Sequence, residues 1–148
     1  MKKKLMIIGP VVLLVALFAV KTFVLAPPPP DEKKLAKEAG LTYTMKDPFV
    51  VNLADGGGTP HFAKVGVALE FSKLSMGEIT PGEGDTPDHV EKASELRDIV
   101  ISTLQSKTSG QLATAAGRAE VKKKIVEEVN KETDYKIVDV YYTEFAVQ

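Results

Sequence analysis

Asp47-Pro48-Phe49-Val50-Val51-Asn52-Leu53-Ala54, Asp55-Gly56-Gly57-Gly58-Thr59-Pro60 and His61-Phe62-Ala63-Lys64-Val65-Gly66-Val67-Ala68-Leu69-Glu70-Phe71 form one continuous stretch whose reading decides the fold. Phe49, Val51 and Leu53 alternate with Val50, Asn52 and Ala54, the period of two expected of a half-buried strand. Pro48 fits the start or the edge of that strand, because it has no N–H to give to a ladder. In the second run, Ala63, Val65, Val67, Leu69 and Phe71 share one side; Phe62, Lys64, Gly66, Ala68 and Glu70 share the other. The glycine-rich segment between them reads as a turn, so residues 49–71 predict a β-hairpin with one face toward a core.

Downstream, Met76 to Asp88 is rich in Gly, Pro and acidic residues and reads as an exposed loop. A helix then starts either at Asp88, with Glu91 three residues on, or at Thr86-Pro87. Val90, Ala93, Leu96, Val100 and Leu104 give it an apolar stripe that Ile99 and Ile101 widen. Ser106 to Gly110 breaks the pattern. Thr114 caps a second helix, through about Lys131, that buries Val121, Ile125 and Val129, with Gly117 weakening its first turn. Lys136 to Gln148 is dense in β-branched and aromatic residues and predicts a long last strand with apolar residues on both faces, one for the helices and one for a neighbouring subunit. The order is β-β-α-α-β, an α+β domain.

Upstream, Met1-Lys2-Lys3-Lys4 precedes an apolar run from Leu5 to Val20. Extended to Ala26, a helix over residues 5–26 is about 33 Å long, enough to cross a hydrocarbon layer of about 30 Å. The three lysines predict that residues 1–4 are cytoplasmic and that the rest lies outside. A cleaved secretory signal ending at Val24-Leu25-Ala26 is the competing reading, although Pro27 would follow the scissile bond. Pro27 to Pro30 form a stiff spacer of about 12 Å, and Asp31 to Gly40 a short helix or an ordered extension of the linker. Residues 27–40 are thus the linker, and 41–148 one domain with one core.

From Asp31 onward, 15 Lys and Arg stand against 20 Asp and Glu, a net charge of −5 that indicates no basic patch for nucleic acid. With no cysteine, disulfides and thiolate chemistry are excluded. His61 and His89 have no partner at metal-ligand spacing and read as surface residues. Asp55-Gly56-Gly57-Gly58 has no Gly-Lys-Ser or Gly-Lys-Thr after it and reads as a hairpin turn, not a phosphate cradle. Glu95, Arg97 and Asp98 within one helical turn, and Lys122 to Lys124, read as solvated faces. No catalytic, cofactor or metal residues are assigned, and no small-molecule substrate.

Four stretches resemble the flagellar basal-body protein family FliL: Asp47-Pro48-Phe49-Val50-Val51-Asn52-Leu53, Lys64-Val65-Gly66-Val67-Ala68-Leu69-Glu70, Leu96-Arg97-Asp98-Ile99-Val100-Ile101 and Tyr142-Thr143-Glu144-Phe145-Ala146-Val147-Gln148. The resemblance implies a single-pass inner-membrane protein whose periplasmic domain looks like stomatin and prohibitin (SPFH-like) scaffolds. It also implies a homo-oligomer, a ring that braces the ion-driven stator of the flagellar motor. Phe18, Lys21, Phe23 and Val24 are the expected contacts with membrane or stator, although lipid packing, with snorkelling for Lys21, is the simpler explanation of them. Arg97, Asp98, Tyr142, Glu144 and Phe145 are the expected oligomer interface. The alternative is a membrane-tethered periplasmic module for ligand binding or for assembly of another envelope complex.

Overall fold

A computed structural model describes residues 31–81 and 87–148. The hairpin read from residues 49–71 is present: β2 (Phe49–Asn52) runs antiparallel to β3 (Phe62–Ser72), with Phe49 opposite Val65 and Asn52 opposite Phe62. The turn between them places Gly57 and Gly58 at φ of 93° and 86°, a backbone region that a Cβ disfavours. Strand β3 is the spine of the sheet. On one side it pairs with β2 and, further along, with β1 (Ala39–Thr44); on the other it pairs with β6 (Ile137–Val147), all antiparallel. A helix α1 (Glu32–Leu35), capped by the Asp31 carboxylate, precedes β1.

The inner side of β3 forms the core as its alternation predicts, with Ala63, Val65, Val67, Leu69 and Phe71 fully buried. Leu96, Val100 and Leu104 of α2 (Ala93–Gln105) cover it together with Val121, Ile125 and Val129 of α4 (Ala115–Glu132), again without exposure. The predicted second helix therefore starts where expected, and Thr114 caps it by accepting from the Gly117 N–H at 3.0 Å. Truncating any of these buried leucines or isoleucines to alanine costs about 2–5 kcal/mol.

The expected fold class requires correction. The helix placed at residues 5–26, with Phe18, Lys21, Phe23 and Val24, lies outside the described residues; among the described residues, no helix is long and apolar enough to cross a membrane. The single-pass inner-membrane placement thus finds no support in the structure. Nor is the order β-β-α-α-β. Strand β1 is added because Leu41 and Tyr43 turn toward the core and Tyr43 pairs with Leu69. A helix α3 (Ser109–Ala113) interrupts the supposed loop, formed by a capping box in which Thr108 accepts from the Gln111 N–H and Gln111 from the Thr108 N–H. The likeness to stomatin and prohibitin scaffolds, which came from the family resemblance, finds no support in this architecture.

Two further differences concern α2 and the loop before it. Helix α2 starts at Ala93, with Lys92 at its N-cap and no side-chain cap; Pro87–His89 instead form β5, paired with β4 (Thr80–Pro81). Strand pairing thus takes the residues that the capping pattern assigned to the helix. A 3₁₀ helix, Lys73–Glu78, buries Ser75 and takes in the first three residues of the expected loop.

Candidate functional site

The side chains singled out in the sequence fall into two groups that are not brought together. The first joins α2 to the connection between β1 and β2. Asp47 there adopts φ 62°, a left-handed conformation uncommon for non-glycine residues and tolerated best by Asn and Asp. Arg97 braces this turn: one guanidinium nitrogen donates to the Lys46 carbonyl at 2.7 Å and to the Asp47 carbonyl at 3.4 Å. Its guanidinium carbon lies 4.2 Å from the centre of the Phe49 ring, within cation–π range. Asp47, Phe49 and Arg97, from two separate motifs, are thus one fastener. A cavity of about 350 Å³ bounded by Tyr43, Asp47, Ser94 and Arg97 opens beside it.

Asp98, next in sequence, faces elsewhere. It borders a cavity of about 250 Å³ between α2 and α4, with Ser102, Ser106, Lys124 and Glu128. Lys124 is paired with Glu128, and this contact holds the Glu128 carboxyl below and the Lys124 ammonium above their usual ranges. No Arg97–Asp98 pair is formed here, because the Arg97 guanidinium is committed to the β1–β2 backbone.

The second group is the Tyr-Thr-Glu-Phe motif of β6. Two irregularities in the pairing with β3 shift its alternation: Tyr142 faces Val67 while Glu144 faces Gly66, and Ile137 faces Phe71 while Asp139 faces Glu70. The consequence corrects the reading of two apolar faces. Ile137, Val140, Tyr142, Phe145 and Val147 all contribute to the core side, leaving Tyr141 as the exposed aromatic. Tyr142 and Phe145 meet edge to face at 4.9 Å between ring centres, and the Tyr142 hydroxyl donates to the Arg118 carbonyl at 3.1 Å. Burial pushes the Tyr142 hydroxyl up to a pKa of about 12. The Arg118 guanidinium lies 5.6 Å from the Phe145 ring and donates to the Leu112 and Ala113 carbonyls, each at 3.0 Å, so it closes the end of α3 onto β6.

Glu144 points away from the core and accepts from Lys64 at 2.6 Å; both partners are about half exposed. Asp55 accepts from the Ser109 N–H at 2.7 Å and from its hydroxyl at 2.9 Å, which ties the glycine turn to the start of α3. The Ser109 backbone bond, above all, lowers the Asp55 pKa. His61 places Nδ1 3.7 Å from the same carboxylate. His89 lies in β5.

Two residues gain importance that the sequence reading did not give them. Arg118 joins three elements, a role that no local pattern announces. Gly117 lies so close to α3 that a Cβ there would overlap the Gln111 carbonyl. The Thr108-x-x-Gln111 capping box that builds α3 was available as a signal.

The fold and these fasteners define a class: one antiparallel sheet covered on one face by helices, with its signature side chains tying strands, turns and helices to each other. The model of the family "Flagellar basal body-associated protein FliL" matches residues 42–148. The chain belongs to this family. It is also similar to a "Flagellar protein FliL" of Aquifex aeolicus (strain VF5), 30% identical over 112 residues. That alignment covers 75% of this chain and 63% of the relative, so the chain spans less than two thirds of the relative's length.

Proposed function

We propose that the protein is a non-enzymatic accessory component of the flagellar basal body that assembles with copies of itself beside the stator and supports stator engagement and torque. The family match over residues 42–148, which runs from within β1 through β6, carries this reading. The placement of the motif residues supports it: Arg97, Phe49, Tyr142 and Phe145 fix helices against sheet, which suits a part whose work is to hold surfaces in fixed positions. In this reading, Arg97 and Phe145 act on assembly indirectly, by holding the domain in shape, while Asp98 and Glu144 face outward and are the members of the expected interface able to meet another copy.

The test is a fluorescent fusion to the full chain, expressed in a deletion background and imaged with labelled flagella while swimming is recorded in media of rising viscosity. Foci at flagellar bases, together with a loss of speed on deletion that steepens with load, are expected. Foci that do not coincide with flagella, with swimming unchanged at every load, would end the reading.

A further inference from the structure

The turn between β2 and β3 is held from two sides. On the strand side, the Leu53 N–H donates to the His61 carbonyl at 2.9 Å, which continues the ladder by one pair and fixes the backbone of His61. On the helix side, the Ala54 N–H donates to the Lys107 carbonyl at 2.9 Å, and the Asp55 carboxylate takes both bonds from Ser109. Anchored in this way, the two residues bring His61 Nδ1 to 3.7 Å from Asp55 Oδ2. This nitrogen is buried, although the side chain as a whole is 39% exposed, and it has no hydrogen-bond partner among the described residues.

A separation of 3.7 Å is too long for an N–H···O bond, which forms at about 2.7–3.2 Å, and short enough for a small rotation of the ring to make one. A neutral imidazole carries a proton on only one of its two nitrogens, whereas the protonated ring donates from both. Protonation therefore makes Nδ1 a donor in every molecule and gives it the charge that draws it to a carboxylate. The charges on the elements packed around the turn are committed elsewhere: Lys107 pairs with Glu120 of α4 at 2.7 Å, and Lys64 of β3 with Glu144 of β6 at 2.6 Å. Gln148, bonded through its backbone to Phe62, has an uncharged side chain.

We propose that His61 is a proton-operated latch on this turn: on protonation, its Nδ1–H closes on the Asp55 carboxylate and adds a third bond to the two from Ser109. The latch is independent of the self-assembly reading above. An imidazole ordinarily titrates at about 6.5. The closed contact exists only in the folded chain and only for the protonated ring, so its stabilisation is present below that range and fades as pH rises through it. Asp55, whose carboxyl titrates below 3.8, stays charged throughout the interval between. Mildly acidic solution thus tightens the turn onto α3, and only stronger acid releases it. Because both side chains reach solvent, the effect is modest, up to about fivefold in the folding equilibrium.

The test compares the full chain in mild detergent with its His61→Gln variant, which keeps a polar side chain and loses the titration, at about pH 8 and about pH 5.5 and constant salt. The urea midpoint of the parent should exceed that of the variant by more at the lower pH. Amide hydrogen exchange at Ser109, corrected for its intrinsic rate, should slow by about two- to fivefold on acidification in the parent and not in the variant. His89, the other histidine, is present in both chains, so its own titration cancels. In an Asp55→Asn background, His61→Gln should shift the midpoint equally at both pH values. A difference between parent and variant that does not grow on acidification overturns the latch, and so does one that grows just as much without the Asp55 carboxylate.

Discussion

Arg97 lies over the face of Phe49, its guanidinium carbon 4.2 Å from the ring centre, while the same guanidinium holds the backbone of the β1–β2 connection. One side chain thereby bonds two carbonyls and braces the left-handed turn at Asp47. A hydrogen bond from a charged group contributes about 1.5–3 kcal/mol and the cation–π contact about 0.5–1 kcal/mol.

Arg97→Ala is therefore expected to lower unfolding free energy by about 2–3 kcal/mol in urea titrations. Arg97→Lys should recover less than half of this, since a point ammonium lacks the planar fork and the stacking face. A loss within about 0.5 kcal/mol for the alanine variant would place Arg97 among ordinary surface residues.

Gly117→Ala gives an unusual sign. Helix propensity alone predicts a gain, up to about 1 kcal/mol at an interior position and less in the first turn where Gly117 stands. The added Cβ would run into the Gln111 carbonyl, so the melting temperature should fall instead. A rise would mean that α3 can move away from α4 at no cost.

Phe145→Ala and Glu144→Ala separate two roles within one motif. Phe145 packs on Tyr142 and lies under Arg118, and its removal should cost about 2 kcal/mol or more. Glu144 makes an exposed pair with Lys64, a class that contributes at most about 1 kcal/mol. Equal effects in denaturation would contradict the inward and outward assignment of the two side chains.

Acid should release the turn at Asp55. Its carboxyl titrates below the ordinary value of 3.8, chiefly because of the Ser109 backbone bond. A lowered folded-state pKa contributes stability that is present above the unfolded value and lost as pH falls through the folded one. Glu38, Glu120 and Asp134 are lowered by their lysine partners and act in the same direction. Asp55→Asn should consequently cost more at pH 7 than at pH values well below 3.8, read as the difference in urea midpoint between variant and parent. A constant difference across this range would exclude the carboxylate as the fastening group.

The hairpin and the two long helices were legible because their apolar residues recur with an unbroken period. Phe49, Val51 and Leu53 keep a step of two before the turn and Ala63, Val65, Val67, Leu69 and Phe71 keep it after, while Leu96, Val100 and Leu104 keep a helical step. Strand β6 misled because the period slips at the two irregularities, where Val138 and Thr143 are extra residues opposite β3, so counting by twos put core residues on both faces. The start of α2 misled for another reason: a sound capping pattern near Asp88 lost to strand pairing by Pro87–His89, a contact with residues outside that local window. The fasteners were named by the motifs, but their partners were not. That Arg97 reaches a carbonyl 51 residues away is a property of the fold.

The extra residue Thr143 has a consequence for how such chains can diverge. Its hydroxyl occupies the space where a side chain at Gly66 would begin. Deleting Thr143 would restore regular pairing and keep Tyr142 and Phe145 on their present sides; it would remove the tightest of the contacts that a Cβ at position 66 would make, the others being the Glu144 backbone nitrogen at 3.1 Å and Cβ at 3.3 Å. Strand length at 143 and side-chain size at 66 are therefore coupled: in a chain of this length, any side chain at position 66 has to turn the Thr143 hydroxyl aside and press on the Glu144 backbone.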